Sequence, residues 1–230
     1  LCHVANGVYD NCINDESRNV FKLPDFLKTM LDKNMLGSKT NQGFYKKIKG
    51  KNGKSKILSL DLKTFEYKDQ KKVNYETLNN ARKCKNRDEK FKLLIKGDDR
   101  AADFYRENFA RMFAYVQNRI PEISNDIVKI DSAMKTGFGW KEGPFEIWNY
   151  IGIKEGVDLM MQFDLKPADW IKEILSSKTN NFYRINNDFN EYYNKSSKSF
   201  TKIPGQEGFI ILKNVSSEKV VWSNKEARLI

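Results

Sequence analysis

Asp25-Phe26-Leu27-Lys28-Thr29-Met30-Leu31 returns later in the chain as Asp169-Trp170-Ile171-Lys172-Glu173-Ile174-Leu175. Both stretches place apolar residues three and four apart, the spacing of an amphipathic helix. A proline stands before each, Pro24 and Pro167. A Lys-Thr-Asn loop and an aromatic pair follow each. The first is Lys39-Thr40-Asn41-Gln42-Gly43-Phe44-Tyr45-Lys46, the second Lys178-Thr179-Asn180-Asn181-Phe182-Tyr183-Arg184. Two amphipathic helices often look alike by chance. A helix, a Lys-Thr loop and a Phe-Tyr strand in the same order do so far less often, and the pattern predicts a duplicated domain. Upstream, Val4 and Val8 match Leu159 and Phe163 when Leu1 is set against Gly156. Residues 99–155 then have no counterpart, and the first copy reads as truncated.

The remaining pattern divides into helical and extended stretches. Leu1, Val4, Val8 and Cys12 share one helix face, and this opening helix has no N-cap, so it reads as cut rather than begun there. Pro24 suits the first position of the next helix and Asp25 its positive end. Short extended runs follow at Phe44–Ile48, Lys56–Leu60 and Phe65–Tyr67, with Asn52-Gly53 as a hairpin signal between the first two. Residues 71–97 are basic and helical in part. A long helix runs from Asp99 to about Pro121, and Ser124 or Asn125 caps the next one. Gly137-Phe138-Gly139-Trp140-Lys141-Glu142-Gly143-Pro144 is a tight turn with Pro144 placed to start a helix over Phe145–Ile151. Helices over Lys154–Phe163 and Pro167–Leu175 precede an antiparallel, strand-rich remainder from Phe182 onward.

Composition restricts the chemistry. The 230 residues include one histidine, His3, so a mechanism that needs a histidine base must use it or look elsewhere. No stretch reaches the roughly 20 uncharged apolar residues of a membrane span, and the opening Leu1-Cys2-His3 has no signal-peptide character. Cys2, Cys12 and Cys84 are odd in number and lack metal-ligand spacing, which points to a reducing cytoplasm. The net charge of +11 is local, because residues 39–96 hold 18 basic and 6 acidic side chains. Lys39 to Lys56 contains seven lysines and no acid. Such a block can attract nucleic acid, an anionic membrane or a phosphorylated ligand. The scarcity of arginine there, Arg82 and Arg87 only, favours a solvated lysine face instead.

Two motifs carry a family resemblance. Leu36-Gly37-Ser38-Lys39-Thr40-Asn41-Gln42-Gly43-Phe44-Tyr45 resembles the Gly-Arg/Lys-Lys-Thr-Gly-x-Gly-Phe-Tyr ending of the C-terminal domain of 3-hydroxyacyl-CoA dehydrogenases. Ile130-Asp131-Ser132-Ala133-Met134-Lys135-Thr136-Gly137-Phe138-Gly139-Trp140, followed by Gly143-Pro144-Phe145-Glu146, is similar to that domain's Ile-Asp-x-Ala-Met…Gly-Pro-Phe-Glu stretch. The resemblance covers nearly the whole chain except the strands after Ile203. Its arrangement is similar to that of multifunctional bacterial fatty-acid oxidation proteins, in which an NAD-binding domain precedes two copies of this helical domain.

The resemblance implies a mainly α fold with antiparallel β additions, of the 6-phosphogluconate dehydrogenase C-terminal-like type, duplicated with the first copy truncated. The expected domains are 1–70 for the truncated copy with its hairpin, 71–98 for a basic linker, 99–203 for the second copy and 204–230 for C-terminal strands. Lys39, Thr40, Gly43, Phe44, Tyr45, Gly137, Gly143, Pro144 and Phe145 form its motifs, mainly structural in role. Asn118, in Gln117-Asn118-Arg119, matches the family's Asn-Arg pair and is the candidate substrate contact. Glu142 and Glu146 can be posed as paired acids, but the positive helix end and solvent account for them.

No catalytic residue and no metal ligand is expected. NAD belongs to the parent enzyme, bound by an upstream domain. This chain has no Gly-x-Gly-x-x-Gly between a strand and a helix, and His3 is not at the family's catalytic position. The implied partners are the upstream NAD-binding domain, an acyl-CoA substrate and an enoyl-CoA hydratase domain, with no nucleic acid and no membrane. On that basis the chain is expected to wall the substrate cleft of a cytoplasmic β-oxidation enzyme and to be inactive alone. The alternatives are a basic nucleic-acid-binding module, which predicts salt-dependent duplex binding, and a structural interaction module.

Overall fold

The computed structural model describes residues 1–49, 54–177, 179–206, 208–215, 217–224 and 227–229. The chain forms two compact units, Leu1–Val73 and Asn74–Ile230, and the fold is mainly helical with small antiparallel sheets.

The first unit contains α1 (Cys2–Asn11), α2 (Asp25–Asp32) and a three-stranded meander of β1 (Tyr45–Lys49), β2 (Ser55–Leu60) and β3 (Tyr67–Asp69). Pro24 caps α2 in extended conformation instead of occupying its first turn. Its fixed φ suits either position, and Asp25 takes the first helical place beside the positive helix end. β1 and β2 pair antiparallel from Tyr45↔Ser59 to Lys49↔Ser55. The hairpin signal at Asn52-Gly53 lies outside the described residues. Between α2 and β1 the Lys-Thr loop closes on a bridge between Gly37 and Gln42. Gly37 there has φ +82°, open to glycine and strained for other residues. Among the described residues of this unit, Met30 and Leu60 are the buried apolar side chains.

The second unit begins with α3 (Glu76–Lys83) and α4 (Arg87–Lys96), inside the stretch read from sequence as a basic linker. Ala81 and Leu94 on these helices are buried in the unit's core. The long α5 (Arg100–Glu122) starts at Asp99, whose carboxylate accepts from the Ala101 and Ala102 amides. Its helical geometry ends at Ile120 (φ −109°, ψ 114°), since proline drives the residue before it out of the helical region. α6 (Ile127–Phe138) is capped by Asp126, whose side chain accepts from Val128 N–H, and not by Ser124 or Asn125. Ser124 Oγ accepts from the Asp126 amide and so shapes the turn ahead of the cap.

α7 (Pro144–Ile151), α8 (Ile153–Gln162) and α9 (Asp169–Ser176) complete the helical layer. Its centre is aromatic. Phe113 and Trp148 stack at 4.7 Å, and Phe182 meets Trp148 edge-on at 5.1 Å and Phe145 at 5.3 Å. All four are fully buried, each contributing on the order of 2 kcal/mol from apolar burial. Gly156 makes room for this centre, because a Cβ there would stand 2.0 Å from Trp148 Nε1. A second meander, β4 (Tyr183–Asn186), β5 (Phe189–Asn194) and β6 (Ser199–Lys202), closes the core. Among the described residues, the strand-rich tail expected beyond it holds two short 3-10 turns and the two-residue strands β7 (Trp222–Ser223) and β8 (Arg228–Leu229).

Candidate functional site

α7 has a structural problem that organises the site. Its N-cap is Gly143, which has no side chain to satisfy the first amides of the helix. Asp131 on α6 does so from outside, its Oδ1 accepting from Phe145 N–H at 2.8 Å and its Oδ2 from Glu146 N–H at 3.0 Å. Only glycine permits this approach, as a Cβ at 143 would fall 2.3–2.4 Å from Asp131 side-chain atoms. Glu146 reaches back to Gly143 N–H at 2.8 Å and pairs with Lys135 at 2.7 Å. Tyr183 on β4 donates its hydroxyl to Asp131 Oδ2 at 2.7 Å. Asn149 on α7 accepts from the Phe182 and Tyr183 amides at 2.7 and 3.0 Å, fixing the start of β4.

Burial pushes the Asp131 carboxyl up to about 7, against the opposing effect of the Tyr183 and backbone donors. Tyr183 is pushed well above the usual tyrosine range by burial first and by Asp131 second. Both groups border a polar cleft of about 670 Å³, also lined by Lys135, Asn149, Arg184 and Gln206. Glu142 and Glu146 do not form an acid pair. Glu142 faces Arg87 at 3.4 Å, while Glu146 is held by Lys135 and the helix start.

Another concavity of the unit is apolar. A groove of about 750 Å³ lies between α5 and α6, lined by Met112, Tyr115, Ile130, Met134 and Trp140 with Arg119 and Lys129 among them. Asn118 is exposed on α5 and does not line this groove; its neighbours Tyr115 and Arg119 do. Gln117 is buried and fastens α5 to the residues before α9. It donates to the Lys166 carbonyl and accepts from the Ala168 amide, both at 2.9 Å.

The other sequence motif lies in the first unit. Thr40 Oγ1 accepts from Leu36 N–H at 2.9 Å and donates to the Gln42 carbonyl at 3.1 Å, so it acts as the strut of the Lys-Thr loop. Gly43 is buried where a Cβ would stand 2.8 Å from Gly37 Cα. Lys39, Phe44 and Tyr45 are exposed. Gly137 lies inside α6 and Gly139 ends it in left-handed conformation (φ +67°), so neither stands at a helix start, where a phosphate would need amide donors. His3 is exposed on α1. Among the described residues no cluster of His, Cys, Asp and Glu could hold a metal, and no helix is long and apolar enough to cross a membrane.

Sequence reasoning quoted Asp131 and Tyr183 within motifs without giving them a role, and it missed Asn149 and the buried bridge of Gln117. The signals were present. Asp131 is an acid between apolar neighbours ahead of a glycine N-cap, and Gln117 is an amide within the Phe113, Val116, Ile120 stripe.

Fold and site together define a mainly α domain with antiparallel additions, whose buried polar groups brace a helix start. The chain is similar in sequence to part of longer proteins named for 3-hydroxyacyl-CoA dehydrogenase and for fatty acid oxidation. It is 39% identical over 195 residues, 85% of its length, to a Bacillus subtilis (strain 168) protein named "Probable 3-hydroxyacyl-CoA dehydrogenase". It is 25% identical over 219 residues (94% of the chain) to a protein of Rickettsia prowazekii, and 27% over 207 residues (90%) to one of Rickettsia felis. Both are named "Putative fatty acid oxidation complex trifunctional enzyme". The matches span 24%, 26% and 26% of those proteins, so the chain covers about a quarter of the length of the relatives it matches. No protein-family model and no solved structure matches it. The relatives favour the dehydrogenase reading over a nucleic-acid-binding module.

Proposed function

We propose that these residues are the tandem helical domains of an NAD-dependent 3-hydroxyacyl-CoA dehydrogenase of fatty-acid β-oxidation, which oxidises 3-hydroxyacyl-CoA to 3-ketoacyl-CoA. The observation that carries this is the 39% identity over 85% of the chain to a protein named for that activity. The duplication expected from sequence is supported by element order, since each unit runs helix, loop and three-stranded meander: α2 with β1–β3, then α9 with β4–β6. In this reading both copies are of the 6-phosphogluconate dehydrogenase C-terminal-like type, and the first contains only the later part of the domain.

NAD does not fit the residues here. The described sheets are all antiparallel, and the Gly137-x-Gly139 pair sits at a helix end of the wrong polarity for a pyrophosphate. The cofactor would be held by another part of the longer enzyme. This chain would wall the cleft in which acyl-CoA meets it, with Asn118 on α5 as the candidate substrate contact. The lysine face of β1 and β2 would draw the phosphates of CoA toward that cleft. A reducing cytoplasm suits the free thiols of Cys2, Cys12 and Cys84.

The test compares the longer polypeptide with the 230-residue chain in an NADH-forming assay on a 3-hydroxyacyl-CoA. Turnover by the longer polypeptide and none by this chain is the expected result. Turnover by the chain alone overturns the division of labour, and none by the longer polypeptide overturns the dehydrogenase reading.

A further inference from the structure

The two copies share a local design and differ in what covers it. In the second unit the carbonyl of Phe182 accepts from Tyr193 N–H at 2.8 Å, and in the first the carbonyl of Phe44 accepts from Leu60 N–H at 2.9 Å. Each phenylalanine meets the aromatic side chain on the preceding helix, Phe182 against Trp170 at 6.0 Å and Phe44 against Phe26 at 6.4 Å. Beyond this point the copies part. Phe182, Trp170 and Ile171 are 0, 7 and 0% exposed, with Phe145 of α7 against both Phe182 and Trp170 and Trp148 against Phe182. Phe44 is 47% exposed and Tyr45 60%, and Phe26 and Leu27 are half-buried. A Tyr183 hydroxyl that ends on the Asp131 carboxylate in one copy corresponds to an exposed Tyr45 in the other.

We propose that the Phe26, Leu27, Phe44 and Tyr45 face of the first unit is the docking surface for a helix–turn–helix pair of the same chemistry as α6–α7. Its occupant carries a carboxylate to receive the Tyr45 hydroxyl, an aromatic side chain to lie over Phe44, and a glycine N-cap that lets the carboxylate cap the second helix. The chain's own pair is already engaged by Phe182 and Tyr183 and cannot serve both copies. The source is the same longer polypeptide, whose curated relatives are about four times the length matched here. This surface rests on the duplication proposed above and gives it a specific consequence.

The probe is a second copy of residues 126–152 joined ahead of Leu1 by a flexible Gly/Ser linker, which holds it at high effective concentration. Hydrogen exchange of the Phe44–Lys49 amides is read with and without it. The expected result is exchange slowed by about tenfold or more, lost when the fused copy carries Asp131→Asn together with Tyr45→Phe in the first unit. Unchanged exchange overturns the proposal, as does protection indifferent to those substitutions. Protection already present in the unfused chain and rising with its concentration assigns the face to a second copy and overturns it as well. An NMR structure of the chain tests the duplication separately, by superposing residues 24–69 on 168–202. Superposable copies without protection overturn the docking surface alone, and copies that do not superpose overturn the duplication beneath it.

Discussion

Gly143 and Asp131 are coupled by contact: the carboxylate caps α7 only because position 143 has no Cβ. Gly143→Ala should therefore destabilise the second unit by roughly 3 kcal/mol, combining overpacking with a lost cap, as read by denaturant unfolding. Asp131 also makes stability depend on pH. Its carboxyl titrates near its ordinary 3.8 in the unfolded chain and near 7 in the fold. Between those values the folded state binds the extra proton, so this contribution is full below about pH 4 and falls as pH rises toward 7. Relative to Asp131→Asn, the native chain should lose at most about 1.4 kcal/mol per pH unit across that window. Parallel unfolding series at pH 4 to 7.5 check this, and a difference that is flat or rises with pH would refute it. Gln117→Ala should cost about 3 kcal/mol by the same measurement, because it strands the Lys166 carbonyl and the Ala168 amide that the side chain now joins.

The Lys-Thr loop shows how much of an element the sequence makes legible. Thr40→Val removes the acceptor for Leu36 N–H while keeping the shape of the side chain. It should cost about 1 kcal/mol and speed exchange at the Leu36 amide before any other in the loop. The loop was readable because its glycines and threonine do local work, Gly37 at positive φ and Thr40 as a strut. Helices with strong periodicity were readable for the same local reasons, as at Asp99 and Pro144. The cap of α6 was misplaced because Ser124, Asn125 and Asp126 are all good cap residues in succession, and only the geometry of the turn selects Asp126. The tail beyond Ile203 alternates like strand, yet its strands among the described residues are β7 and β8, two residues each and paired with one another, since alternation by itself does not set how long a pairing runs. The site was legible as motifs but not as roles. The use of Asp131 depends on Tyr183, which is remote in sequence, and no periodicity reports such a pairing.

Across the molecule, the units differ in how much apolar surface they bury. The second has a continuous core from Ala81 to Tyr193 centred on Trp148, whereas among its described residues the first buries only Met30 and Leu60. Each buried aliphatic or aromatic side chain is worth about 2 kcal/mol, and the ordering of each residue opposes it, so the first unit has the smaller margin. Unfolding of the chain should therefore depart from two-state behaviour. The amides of β1–β3 should exchange through openings at least about 3 kcal/mol lower in free energy than those of α5, α7 and α8. Native-state hydrogen exchange against denaturant would show the first group merging into a separate, earlier isotherm. A single isotherm shared by both groups would mean that the few buried residues of the first unit are stabilised as strongly as the aromatic core. The uneven distribution of Phe and Trp burial would then have no thermodynamic expression.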